Sequence, residues 1–134
     1  MSEKNNSKDV LIETASRLFR LRGYYGVGLK DILAESGIPK GSLYHYFPDG
    51  KEQLAIAAIE YTKEIVINEI QELFDEIEDP INAFQIHLDH LSEIIVNSKN
   101  IGFPIGTIAG ETHSTSEPIR IACQLAFAEW QATY

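Results

Sequence analysis

The 134-residue sequence has a single cysteine, Cys123, and a single tryptophan. One thiol cannot form an internal disulfide, so a crosslinked secreted scaffold is excluded. Cys123 falls on an apolar helical stripe, which reads as a buried structural thiol rather than a redox sensor. No apolar run approaches the roughly 20 residues of a membrane span, and no signal peptide opens the chain. The expectation is a soluble, cytoplasmic protein with no membrane partner. Long alternating apolar and polar runs are missing too, which leaves all-α as the natural fold class. There is no nucleophile elbow, phosphate-binding glycine loop or paired ligand motif. No enzyme, cofactor or metal is therefore expected.

Cations are scarce in the second part of the chain. Residues 1–51 hold 8 Lys+Arg against 6 Asp+Glu, whereas residues 52–134 hold 3 against 14. The overall −9 argues against nucleic-acid binding, but its distribution reverses that reading. An acidic half repels a polyanion and turns the near-neutral half toward it.

In that near-neutral half, Leu29, Ile32 and Leu33 keep i, i+3, i+4 spacing, so residues 29–36 read as a short helix. Gly37 supplies a left-handed end. Pro39 suits the first position of a new helix, which runs through Lys40-Gly41-Ser42-Leu43-Tyr44-His45-Tyr46-Phe47. Leu43 and Phe47 share one face, with Tyr46 beside them. Gly41 and His45 point the opposite way, flanked by Lys40, Ser42 and Tyr44. That outer face carries hydrogen-bond donors and no acid, which suits phosphates and base edges. Two readings follow from spacing alone. One is a helix-turn-helix whose second helix enters the major groove; the other is a plain helical hairpin in an all-α core.

Residues 31–47, Asp31-Ile32-Leu33-Ala34-Glu35-Ser36-Gly37 through Phe47, followed by Lys51-Glu52-Gln53-Leu54, resemble the N-terminal signature of the TetR/AcrR family of transcriptional regulators. Upstream, Ala15-Ser16-Arg17-Leu18-Phe19 and Gly23-Tyr24 are similar to that family's first helix. Phe47-Pro48-Asp49-Gly50-Lys51, with Gly102-Phe103-Pro104-Ile105-Gly106, Ala109 and Glu111, resembles the LmrA/YxaF-like subgroup. The resemblance implies that Lys40 and Gly41 lie at the groove floor and that Ser42 meets a base. It implies phosphate contacts from Tyr44, His45, Tyr46 and Lys51, and places Lys30 in the DNA-contacting set. Two positions depart from the pattern. Gly28 lacks the usual capping hydroxyl, and Pro39 replaces a capping serine, leaving the N–H groups of Gly41 and Ser42 to a phosphate.

The first helix has a core stripe of Leu11, Ala15, Leu18 and Phe19, with Asn6 or Ser7 as its cap. Arg17, Arg20 and Arg22 either complement its dipole or reach a phosphate. After Pro48-Asp49-Gly50 comes one long helix with Leu54, Ala58, Tyr61, Ile65, Ile70, Leu73 and Ile77 inward and its acids outward. Asp79-Pro80 starts another, with Ile81, Phe84, Leu88, Leu91 and Ile95 as its stripe. His87 and His90 are three apart; core or pocket polar groups and weak metal ligands are both open readings. Gly106 and Gly110 permit tight packing or a cavity. The last stripe is Ile119, Ala122, Cys123, Ala126 and Trp130, which reaches Tyr134 without a stop signal.

The expected architecture is an N-terminal three-helix helix-turn-helix module over 1–50. A long helix joins it to a helical effector domain over 51–134 that reads as truncated. By family analogy, His87, Leu91, Phe103, Ile108, Glu111 and Trp130 line a pocket for a small apolar or aromatic effector. The expected function is a ligand-responsive repressor, a homodimer when complete, that binds a palindromic double-stranded DNA operator. The rival is a helical ligand- or protein-interaction module without DNA binding.

Overall fold

A computed structural model describes residues 7–98, 108, 109, 111 and 115–134, and every regular element among them is helical. Helix α1 spans Ser7–Arg22, so Ser7 opens it, and Asn6 lies outside the described residues. Its stripe of Leu11, Ala15, Leu18 and Phe19 is buried, as the spacing predicts. Gly23, at φ +78°, ends it in a backbone conformation that other residues rarely adopt. Helix α2 is Leu29–Ser36. With no hydroxyl at Gly28, the Asp31 carboxylate reaches back and accepts the Gly28 N–H at 2.9 Å. The capping thus comes from inside the helix.

Helix α3 is Lys40–Tyr46. Pro39 is not its first residue but sits just before it in extended backbone, at φ −64° and ψ 147°. The fixed proline φ serves both conformations equally, so sequence left the choice open. Helix α4, Lys51–Glu76, has 26 residues and runs about 39 Å at 1.5 Å each. Helix α5 is Pro80–Ser98, entered through Asp79, whose carboxylate accepts the Ile81 N–H at 3.2 Å. Ile108, Ala109 and Glu111 are also helical. Helix α6 is Glu117–Thr133, with Ser116 accepting the Ile119 N–H at its start.

Helix α4 is the spine, packing against α1 at one end and α6 along its length. One apolar cluster joins Leu11, Phe19, Ile32, Leu43, Phe47 and Leu54 to Ile108, Ile119, Cys123 and Ala126. Residues from both ends of the chain therefore share it. Each large side chain fully buried there contributes about 2 kcal/mol. A smaller cluster of Val66, Ile70 and Trp130 is flanked by Phe74 and Leu91.

Two expected stripes turn out differently. On α4, Ile65 faces outward and Lys63 is buried instead. Its ammonium meets Glu64 and Glu129 at 2.9 Å and Glu60 at 3.3 Å. On α5, Ile81 is 80% exposed, and Phe84 and Leu88 are also outside, whereas Ala83 and His87 are buried. The face turned to the bundle holds a small residue and a polar ring. The side chain of Ile95 lies outside the described residues.

Candidate nucleic-acid interface and a second cleft

The α2–α3 turn is built from local chemistry. Gly37 takes φ +72° with nothing near the position a Cβ would occupy, and its N–H closes on the Leu33 carbonyl at 3.0 Å. Ser36 then accepts the Ile38 N–H at 3.2 Å. The chain emerges through Pro39 into α3, which is anchored from behind by Leu43 and Phe47, both buried. Tyr46 lies half-buried against the same cluster. Leu43 and Phe47 thus fix the helix axis, and the axis fixes what faces out.

On that outward face Lys40, Gly41, Tyr44 and His45 are exposed and Ser42 is half-exposed. A Cβ added at Gly41 would meet nothing within 4 Å, so the backbone itself is accessible there. The His45 and Tyr46 rings meet edge to face at 4.9 Å. Ser42 departs from expectation in one respect: its N–H donates to the Pro39 carbonyl at 3.0 Å, so it is not left for a phosphate. The tight first turn of a short helix uses it internally.

Among the other sequence-predicted contacts, Lys30 is exposed on α2. Lys51 is partly covered, its ammonium 4.2 Å from the centre of the Tyr24 ring and 5.8 Å from that of Tyr25. Burial pushes Lys51 below the ordinary lysine range, opposed by the charges of Glu111 and Asp31. Arg17 pairs with Glu35 at 3.4 Å and Arg22 with Asp31 at 3.8 Å, so both link α1 to α2.

The expected effector residues divide into three groups. His87, Leu91 and Trp130 come together where α5 meets α6. The Tyr134 hydroxyl lies 2.5 Å from His87 Nε2 and accepts the Trp130 indole N–H at 3.0 Å. Beside them is a cleft of about 280 Å³ lined by Leu91, Phe127, Trp130, Gln131 and Tyr134. Burial, then the charge of His90, pushes His87 below the ordinary histidine value. That direction favours the neutral ring, which can donate or accept. Ile108 and Glu111 lie elsewhere. Ile108 packs into the cluster shared with the N-terminal helices, and the Glu111 carboxylate accepts the N–H groups of Tyr24 and Tyr25 at 3.0 and 3.3 Å. Periodicity cannot foresee such long-range assignments. Phe103 lies outside the described residues. His90 stands 3.8 Å from Glu69, and no group of three potential metal ligands occurs among the described residues. Tyr134, Phe127 and Gln131 were missed by sequence reasoning; Phe127 and Tyr134 lie three before and four after Trp130, on the same helix side.

A three-helix head whose third helix, α3, is exposed on one side and free of acids, carried on a long spine, is an arrangement of the helix-turn-helix type. Comparison with known proteins narrows this further. The family model for bacterial regulatory proteins of the tetR family matches residues 11–58. That for the C-terminal domain of LmrA/YxaF-like transcriptional regulators matches residues 80–134. The HTH-type transcriptional regulator YxaF of Bacillus subtilis is 45% identical over 135 positions, covering 100% of this chain and 71% of the relative. The B. subtilis HTH-type transcriptional regulator LmrA is 45% identical over 130 positions, covering 96% and 69%. The crystal structure of E. coli NemR in its reduced form shares the fold, with a TM-score of 0.76 at 24% identity over 94% of this chain and 66% of that one. The chain belongs to the TetR family of transcriptional regulators, with a C-terminal half of the LmrA/YxaF-like type.

Proposed function

We propose that the chain is a ligand-responsive repressor that acts in the cytoplasm on a palindromic operator. Residues 1–50 read DNA and residues 51–134 sense the effector. Lys40 and Gly41 approach the floor of the major groove, and Ser42 meets a base edge through its hydroxyl. Tyr44, His45, Tyr46, Lys30 and Lys51 hold phosphates. The observation that carries this reading is the two-sidedness of α3: Leu43 and Phe47 are buried behind it, and Gly41 lies bare in front among donors. Phosphate contacts position the helix and base contacts select the sequence.

A homodimer places two such heads about 34 Å apart, one helical turn of DNA. An apolar or aromatic effector enters the cleft beside Trp130, Leu91 and Tyr134, with His87 behind it. It tilts the spine α4 and so alters the spacing of the heads. Gel-shift titration of the full-length gene product against its own upstream region tests both halves. A retarded species that weakens with rising salt, and that added aromatic compounds release, is expected. No retarded species at low salt would favour a helical interaction module that does not bind DNA.

A further inference from the structure

Glu111 has no part in the cleft, yet its surroundings are specific. Beyond Gly23 the chain offers two consecutive N–H groups, from Tyr24 and Tyr25, which form a small concavity suited to an anion. The Glu111 carboxylate fills it, one oxygen to each amide. A Cβ on Gly23 would lie 2.1 Å from Glu111 Oε2, so the carboxylate rests directly on the glycine backbone. The two anchored residues are the aromatic platform for Lys51, and Tyr24 is itself stacked on Phe19 at 5.6 Å. The same segment is tied twice more. The Tyr25 hydroxyl meets that of Thr115, and Ser116 donates to Glu52 at 2.6 Å, next to Lys51 in the chain.

We propose that Glu111 is a positioning residue for DNA binding: it fixes the Tyr24–Tyr25 loop and, through those rings, the Lys51 ammonium at the edge of the DNA-reading surface. The inference rests on the phosphate contact assigned above to Lys51. The C-terminal half thereby controls whether that contact is made. Lys51 is a flexible cation; held over Tyr24 it meets a phosphate with less ordering cost than a freely moving side chain would. The charges of Glu111 and Asp31 oppose the desolvation that pushes Lys51 below the ordinary lysine range.

Two measurements test this on the full-length chain. The first is amide hydrogen exchange without DNA, comparing the native chain with Glu111→Gln, which keeps the size and loses the charge. Exchange at Tyr24 and Tyr25 is expected to accelerate about tenfold or more while the Phe19 amide is unaffected. The second is the salt dependence of binding to a duplex from its own upstream region for Glu111→Gln, Lys51→Met and the double variant. Lys51→Met is expected to lower the log–log slope by about 0.9, one phosphate's worth. Glu111→Gln is expected to give most of that change with several-fold weaker binding, and the double variant to match Lys51→Met alone. Unchanged exchange at Tyr24 and Tyr25, or effects of the two substitutions that multiply, would overturn the inference while leaving the DNA-reading surface intact. An unaltered slope in Lys51→Met would instead remove the phosphate contact on which it rests.

Discussion

The N-terminal head and the α5–α6 end of the molecule differ in how many large apolar side chains they leave exposed. In the head, Leu11, Phe19, Ile32 and Leu43 are fully buried and the exposed positions of α3 are polar or glycine. Around α5 and α6, Ile81 is 80% and Leu125 59% exposed, whereas Lys63 and His87 are buried. In the proposed role α3 must hold one pose to read DNA, and a closed apolar core provides it. The other end buries Ala83, Ile119, Cys123, Ala126 and Trp130 but also leaves several large apolar side chains on its surface, a composition suited to binding a ligand or another helix.

The sharpest test of this contrast is a pair of truncations. Leu43→Ala is expected to cost about 3 kcal/mol of stability, whereas Ile81→Ala stays within about 0.5 kcal/mol, both read by denaturant unfolding. A comparable loss for Ile81→Ala would mean that the α5 face is covered and the contrast is false. Next in size is Lys63→Ala. It removes the ammonium that ties α4 to Glu129 of α6 and is expected to cost about 2 kcal/mol. Hydrogen bonds donated by its ammonium to Glu64 and Glu129 hold Lys63 above the ordinary lysine value of 10.5. Its contribution is therefore whole at neutral pH and fades only as pH climbs beyond that value.

Gly41→Ala separates folding from reading. The added methyl meets nothing within the chain, so stability is expected to rise by up to about 1 kcal/mol through helix propensity. Affinity for an operator duplex is expected to fall about tenfold, the 1.4 kcal/mol of one overpacked contact. Equal affinity for both forms would remove Gly41 from the interface. The smallest effect concerns His87, whose folded-state value is lowered from 6.5. The unfolded chain then takes up the proton more readily, so stability falls as pH drops below about 6.5. Substitution by leucine is expected to flatten that part of the thermal-unfolding profile.

The limits of α2 and the φ of Gly37 were legible in the sequence because capping is local: Gly37 and the apolar trio at 29, 32 and 33 settle them without reference to the rest of the chain. Pro39 was misplaced by one residue because its ring satisfies either position. The inward faces of α4 and α5 were harder. Lys63 is buried with Glu60 and Glu64 of its own helix and Glu129, 66 residues on, around its ammonium, and the last of these partners is set by tertiary packing that no local pattern reveals. Ile81, Phe84 and Leu88 form a sound stripe that the structure turns outward, since the packing partner rather than periodicity chooses the face. Glu111 could be singled out only through its family-like segment, and its hold on Tyr24 and Tyr25 spans 87 and 86 residues.

The two-sided role of α3 is tested most directly by titrating the isotope-labelled full-length chain with a duplex from its own upstream region and following backbone amide signals. The expected result is salt-sensitive shifts concentrated at Lys40, Gly41, Ser42, Tyr44 and His45, with the cleft residues Leu91 and Trp130 unmoved by direct contact. Shifts confined to α5 and α6, or none at low salt, would contradict it.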